Sequence, residues 1–321
     1  MSTRPEIKKI AVLGAGTMGP GIAQIFAIAG CQIRIYDISQ DALDKAKGVL
    51  HSSLETFAQE GIITQEQIEP LYAQVAFDPV LESAVDGVDL VLEAGVENPA
   101  IKTELYRKLD ALLPEDVIIA SNTSALNIFE IMPAARLPWT VIAHWYAPPQ
   151  LVPLVEVVAN EQTREGITEA VMEVLRKGGK KPVQMKKFIQ GYIVNRIQMC
   201  LNQEIFFLLD NGYCTPQDID LAVRTSFIPR AMVLGVCQRI DFGGLNMTAN
   251  NFKNKSYKMP PEVDMPRTLA EHIEKGELGI RTGKGLYDYT GKDMDEILAK
   301  RDHQLFEAFR LGNKLLDDPL A

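Results

Sequence analysis

The chain has 321 residues, of which 46% are hydrophobic, and a formal net charge of -9 at pH 7. That length supports a full core and leaves room for two domains, while the acidic balance and the lack of a long basic cluster exclude a nucleic-acid surface. Cys31, Cys200, Cys214 and Cys237 form no CxxC pair and no metal-type spacing with the four histidines, so no metal is expected and a reduced, cytoplasmic protein is.

Met1-Ser2-Thr3-Arg4-Pro5-Glu6 carries no apolar signal segment and no transit character. Ile10-Ala11-Val12-Leu13 then predicts a strand that runs into Gly14-Ala15-Gly16-Thr17-Met18-Gly19. One helix later, Ile33-Arg34-Ile35-Tyr36 forms a second strand closed by Asp37. Strand, glycine turn, helix, strand and terminal acid are the dinucleotide-binding fingerprint of a βαβ unit. Gly14 permits the tight turn, Gly16 lets backbone approach a pyrophosphate, and Gly19 lets the helix pack closely. The helix N-terminus points unpaired N–H groups at the phosphates. Asp37 can accept from both ribose hydroxyls and would repel a 2′-phosphate, and Ile38-Ser39 supplies no cation. The cofactor expected is therefore NAD rather than NADP.

A helix begins near Asp41 and continues past Leu54, and Thr64-Gln65-Glu66-Gln67 opens another with a capping box. Val88–Ala94, Val117–Ala120 and Trp139–His144 read as buried parallel strands, with a helix from Lys102 to Leu112 among them. This alternation predicts an α/β fold with a doubly wound parallel sheet, over residues 1–187. Near Lys186 the pattern turns helical, with Ile193, Ile197, Cys200, Leu201 and Ile205 on one stripe. Thr215-Pro216-Gln217-Asp218 starts a further helix. Residues 188–321 are thus expected to form an all-α domain. The broad run Ile205-Phe206-Phe207-Leu208-Leu209 suits either its core or a subunit interface. No apolar run is long enough to span a bilayer.

Ligands in such sheets bind beyond the carboxyl ends of the strands. Ser121-Asn122-Thr123-Ser124 follows one strand there and His144 ends another. Glu156 stands inside the apolar run Leu151–Val158, where an ionised carboxylate is costly without a partner. It either faces solvent on an edge strand, as Pro153 would allow, or meets a cation or donors. His144 is either a satisfied structural histidine or a base whose second nitrogen Glu156 holds.

In order along the chain, the glycine turn, Glu93-Ala94-Gly95-Val96-Glu97-Asn98, Ser121–Ser124, His144 with Glu156, Gly191-Tyr192-Ile193-Val194-Asn195-Arg196 and Gly279–Tyr287 resemble the L-3-hydroxyacyl-CoA dehydrogenase family. The resemblance covers nearly the whole length. It implies a Rossmann-type domain followed by a helical substrate and dimerisation domain, and hence a homodimer. It further implies His144 as catalytic base, Glu156 as its partner, and Ser124 and Asn195 on the substrate oxygen. Gly14, Gly16, Thr17, Met18, Gly19, Asp37, Glu97, Lys102 and Ser124 would line NAD. The substrate implied is a small molecule, a 3-hydroxyacyl-CoA oxidised to its 3-oxo form.

Several positions depart from that pattern. His51–Gly61 holds two acids and no Lys or Arg where fatty-acyl members carry a lysine-rich helix for CoA. His144-Trp145-Tyr146-Ala147-Pro148-Pro149 replaces a common His-Phe-Phe-Asn-Pro and is more similar to the lambda-crystallin branch, which includes gulonate and carnitine dehydrogenases. Leu234-Gly235-Val236 stands where Gly-Pro is common, and Ser226–Arg230 lacks the usual glycines. A free hydroxy acid is the alternative substrate, and a catalytically silent crystallin-like protein the alternative without an activity. The β-hydroxyacid dehydrogenases share the Gly-Thr-Met-Gly turn, but they use an interdomain lysine where this chain has Asn195-Arg196.

Overall fold

A computed structural model describes residues 5–255 and 258–320, so Met1 to Arg4 of the N-terminal reading lie outside the described residues. The chain divides into two compact units, Met1–Ile193 and Val194–Ala321. The first unit runs β1 (Lys9–Leu13), α1 (Gly19–Ile28), β2 (Gln32–Tyr36), α2 (Gln40–Gln59), α3 (Ile68–Ala73), β3 (Val75–Asp78) and α4 (Leu81–Ala84). It continues with β4 (Leu90–Glu93), α5 (Pro99–Leu112), β5 (Ile118–Ser121), β6 (Thr140–Trp145), β7 (Leu154–Ala159), α6 (Ile167–Lys177) and β8 (Lys181–Met185).

These strands form one eight-stranded sheet in the order β3-β2-β1-β4-β5-β6-β7-β8. Every neighbouring pair is parallel except β6 with β7. The fold is the doubly wound one expected from the sequence, with a single antiparallel return built into it. Ile10, Val12, Val91, Ile119 and Ile142 are fully buried because helices cover the sheet. Ser39 caps α2 by accepting from the Ala42 N–H, and Asn98 caps α5 by accepting from Ala100 and Ile101. The Thr64–Gln67 capping box is present, but it opens a 3-10 turn, Gln65–Gln67, that leads into the short α3.

Strand order decides between the two readings of Glu156. Glu156 does not face solvent on an edge strand: β7 lies between β6 and β8, and the polar β8 forms the edge instead. The first compact unit runs to Ile193, a few residues past position 187. Tyr192, fully buried, donates to the Thr123 carbonyl at 2.8 Å, and the Ile193 N–H donates to Glu156 at 2.9 Å, so the segment is bonded into the sheet domain.

The second unit is helical, with α7 (Val194–Asp210), α8 (Pro216–Ala222), α9 (Ile228–Gly243), α10 (Leu245–Lys253), α11 (Arg267–Glu274) and α12 (Met294–Asp317). Thr215 and Asp218 form the reciprocal cap of α8. Gly235 has φ 66, which interrupts α9 where most side chains would be strained. Among the described residues no helix is long and apolar enough to cross a membrane.

Candidate active site

Strand order reverses at β1, which has β2 on one side and β4 on the other. This is where a doubly wound sheet opens a crevice for a dinucleotide. Gly14 has φ 116, and a Cβ there would lie 2.7 Å from the Ala94 carbonyl oxygen. A Cβ on Gly19 would collide with the Gly14 carbonyl, so the helix can approach the turn only with glycine at position 19. At Gly16 a Cβ would meet nothing within 4 Å, which leaves the backbone open to a ligand. The N-terminus of α1 has no side-chain cap and no acid in its first turn, so its positive end suits a pyrophosphate. Thr17 and Met18 lie in this turn. Asp37 accepts from the Ala15 N–H with one oxygen and from the Ser39 N–H with the other, each at 2.9 Å. Its remaining lone pairs can take ribose hydroxyls. These residues fit NAD.

Beside the turn, β4 ends on Glu93, which is fully buried. Lys102, only 2% exposed, reaches its two oxygens at 2.6 and 2.7 Å. Ser121 and Tyr106 hydroxyls and the Gly95 N–H complete the donors. Lys102 also lies 3.4 Å from Glu97. Burial, the largest influence on Glu97, pushes its carboxyl up. The Thr123 hydroxyl, the Ala125 and Ser124 N–H groups and Lys102 more than offset this and hold it below the usual carboxylate range. Glu97 therefore presents a fixed negative charge at the crevice mouth, its side chain 38% exposed.

His144 and Glu156 are directly opposite residues of the antiparallel β6–β7 pair. Cross-strand neighbours put their side chains on one face, and His144 Nδ1 lies 3.0 Å from Glu156 Oε2, both side chains buried. The carboxylate can only accept, so Nδ1 carries the proton and Nε2 remains the basic nitrogen. The Tyr146 hydroxyl donates to the same Oε2 at 2.7 Å, while Oε1 accepts from the Ile193 N–H. Tyr146 and Tyr192 each place a ring 4.6 Å from the imidazole. Burial above all, with the negative Glu97 and Glu156 nearby, raises the Tyr192 phenol and keeps it neutral.

Of the residues expected from sequence, the structure thus brings His144 to Glu156, Asp37 to the glycine turn, and Lys102 to Glu97. Ser124 follows β5 at the same edge of the sheet, its N–H on Glu97 and its residue exposed. Asn195 lies in the first turn of α7, in the helical unit. Sequence reasoning gave no role to Glu93, Asn122, Tyr146 or Tyr192. Glu93 carried a signal like that of Glu156, a carboxylate among the apolar residues of a strand. Asn122, which accepts from the Trp145 N–H at 2.8 Å and ties β5 to β6, stood in the polar run Ser121–Ser124 beyond a strand end, the signal that could have found it.

Residues 9–188 match the family described as 3-hydroxyacyl-CoA dehydrogenase, NAD binding domain, and residues 191–289 match its C-terminal domain. A 5-formyl-3-hydroxy-2-methylpyridine 4-carboxylate 5-dehydrogenase of Mesorhizobium japonicum is 30% identical over 95% of this chain and 98% of its own. A probable 3-hydroxybutyryl-CoA dehydrogenase of Bacillus subtilis is 32% identical over 89% of this chain and 99% of its own. Among solved structures, a 5-formyl-3-hydroxy-2-methylpyridine 4-carboxylic acid 5-dehydrogenase, described as an NAD+ dependent dismutase, superposes with a TM-score of 0.84. It is 29% identical and covers 96% of this chain and 99% of that one.

Proposed function

The chain belongs to the 3-hydroxyacyl-CoA dehydrogenase family, an NAD-dependent oxidoreductase acting on CH–OH groups, and from that premise we propose that His144, backed by Glu156, takes the hydroxyl proton of a small, free hydroxy acid. The observation that carries this reading is the buried 3.0 Å contact between His144 Nδ1 and Glu156 at the carboxyl edge of the sheet. NAD, when bound, supplies the acceptor for the hydride. Glu156 fixes the imidazole ring and its tautomer and stabilises the cation formed when Nε2 is protonated. Ser124 is assigned to the substrate oxygen, and Asn195 keeps the role that the resemblance gives it.

The choice of a free acid rests on charge. Lys47 of α2 pairs with Asp44 at 2.7 Å, the exposed Lys45 is the other lysine of that helix, and His51 stands between Glu55 and Glu69. Such a surface offers little to a multiply phosphorylated carrier. The full-length likeness to a pyridine carboxylate dehydrogenase supports the same class. Turnover with NAD on 3-hydroxybutyryl-CoA, 3-hydroxybutyrate, carnitine, gulonate and a hydroxylated pyridine carboxylate separates the possibilities. A free acid is expected to exceed the thioester in kcat/KM by about tenfold or more, the scale on which a pocket discriminates. A preference for the thioester would return the chain to acyl-CoA chemistry.

We also propose that two copies pair through the helical unit. No residue of α7, α8 or α9 is fully buried, and Ile197, Leu201, Val233, Ile240 and Phe242 stand exposed. Uncovered apolar area on that scale marks an interface. Sedimentation velocity is expected to give twice the chain mass, and a monomer at micromolar concentration would contradict the pairing.

A further inference from the structure

Lys180 is 4% exposed and no carboxylate pairs with it among the described residues. It sits in the turn between α6 and β8, and its ammonium donates to three carbonyls, those of Pro149, Gln150 and Val152. All three belong to the segment 146–153 that joins the strand of His144 to the strand of Glu156. The same ammonium lies 5.5 Å from the ring of Trp145, the residue after His144, and that ring meets Phe26 of α1 edge-on at 5.7 Å. The segment is also pressed against α1, since a Cβ on Gly21 would come within 2.8 Å of Pro149 Cγ.

An ammonium has three N–H donors, and here each faces a carbonyl of one loop. A buried cation is costly, and this one is met by carbonyl dipoles and the Trp145 ring, with no carboxylate paired to it among the described residues. We propose that Lys180 is a positioning residue of the active site, its ammonium clasping the 146–153 loop and so fixing the separation of His144 and Glu156. The inference rests on the reading of His144 as the base, but the clasp itself is a structural claim with its own readout.

The clasp depends on protonation. Burial lowers the Lys180 ammonium to about 7. The surrounding elements do nothing to restore it. Arg176 and Lys177 at the end of α6 are half-exposed and pair with Glu169 and Glu173. Lys181 follows in the chain, α1 presents no charged side chain, and the Tyr146 hydroxyl is engaged by Glu156. Deprotonation leaves two donors and a lone pair for three carbonyl oxygens, so the loop loses a bond as pH rises through that value.

Hydrogen exchange of the 146–153 amides, corrected for intrinsic rate, tests this on the wild-type protein. Protection is expected to fall between about pH 6 and about pH 9, on either side of the value burial gives the amine. Lys180→Arg, which stays charged, is expected to keep protection across that range, and Lys180→Met to lack it throughout. Lys180→Met is also expected to lower kcat by about tenfold or more at unchanged NAD affinity, as a small misplacement of a base does. Equal loop protection in the wild type at both pH values, or in Lys180→Met and the wild type, would overturn the proposal. A released loop in Lys180→Met together with full turnover in His144→Gln would instead keep the clasp and remove the base.

Discussion

His144→Gln is expected to lower kcat/KM by about a hundredfold or more, the contribution typical of a general base, while NAD binding persists. Glutamine nearly preserves the volume between the Tyr146 and Tyr192 rings and can still donate to Glu156, so the packing that surrounds the imidazole survives. It removes only the nitrogen that accepts a proton. The cofactor residues, the glycine turn and Asp37, belong to β1, α1 and the end of β2 and do not rely on His144. Steady-state formation of NADH, read beside a fluorescence titration of NADH binding, separates the two effects. Turnover at the wild-type rate would place the base elsewhere.

Lys102→Met is expected to destabilise the sheet domain by about 3–5 kcal/mol, because it strands a buried carboxylate. Glu93 is fully buried, and removing the ammonium leaves it with hydroxyl and N–H donors but no countercharge. For a domain of this size that corresponds to a fall of roughly 6–20 °C in Tm. Removing both charges, in Lys102→Met with Glu93→Gln, is expected to recover part of the loss, since two neutral groups cost less than one unpaired ion. Calorimetry of the wild type and the two variants checks this, and a Lys102→Met cost under about 1 kcal/mol would contradict it. The contact also bears on the cofactor. Lys102 is 2% exposed and lies against both Glu93 and Glu97, so we propose that it acts on a bound nucleotide through the carboxylates it anchors.

What the sequence made legible was whatever local pattern encodes. The glycine turn, its flanking strands and Asp37 follow from spacing and from which residues tolerate a close approach of backbone. The oddity of Glu156 was visible because a carboxylate among valines must be met by something. Its partner was not determined by the same means. His144 and Glu156 face one another through the register of an antiparallel pair, and no periodicity within either strand fixes that register. The edge strand β8, with its exposed polar residues, resembles a loop in composition. The Glu93–Lys102 pair joins a strand end to a helix interior, and only packing brings the two together. The exact end of the first unit is set by tertiary bonds rather than by local pattern. Tyr192 and Ile193 have a helical neighbourhood in sequence but are held by Thr123 and Glu156.

The most direct test of the central claim is a double-mutant cycle on single-turnover NADH formation, using His144→Gln, Glu156→Gln and the two combined. If the carboxylate acts only through the imidazole, the combined variant is about as slow as His144→Gln alone, as for residues that work as a unit. Losses that multiply, each substitution costing its full factor in the presence of the other, would show two independent contributions and contradict the pairing.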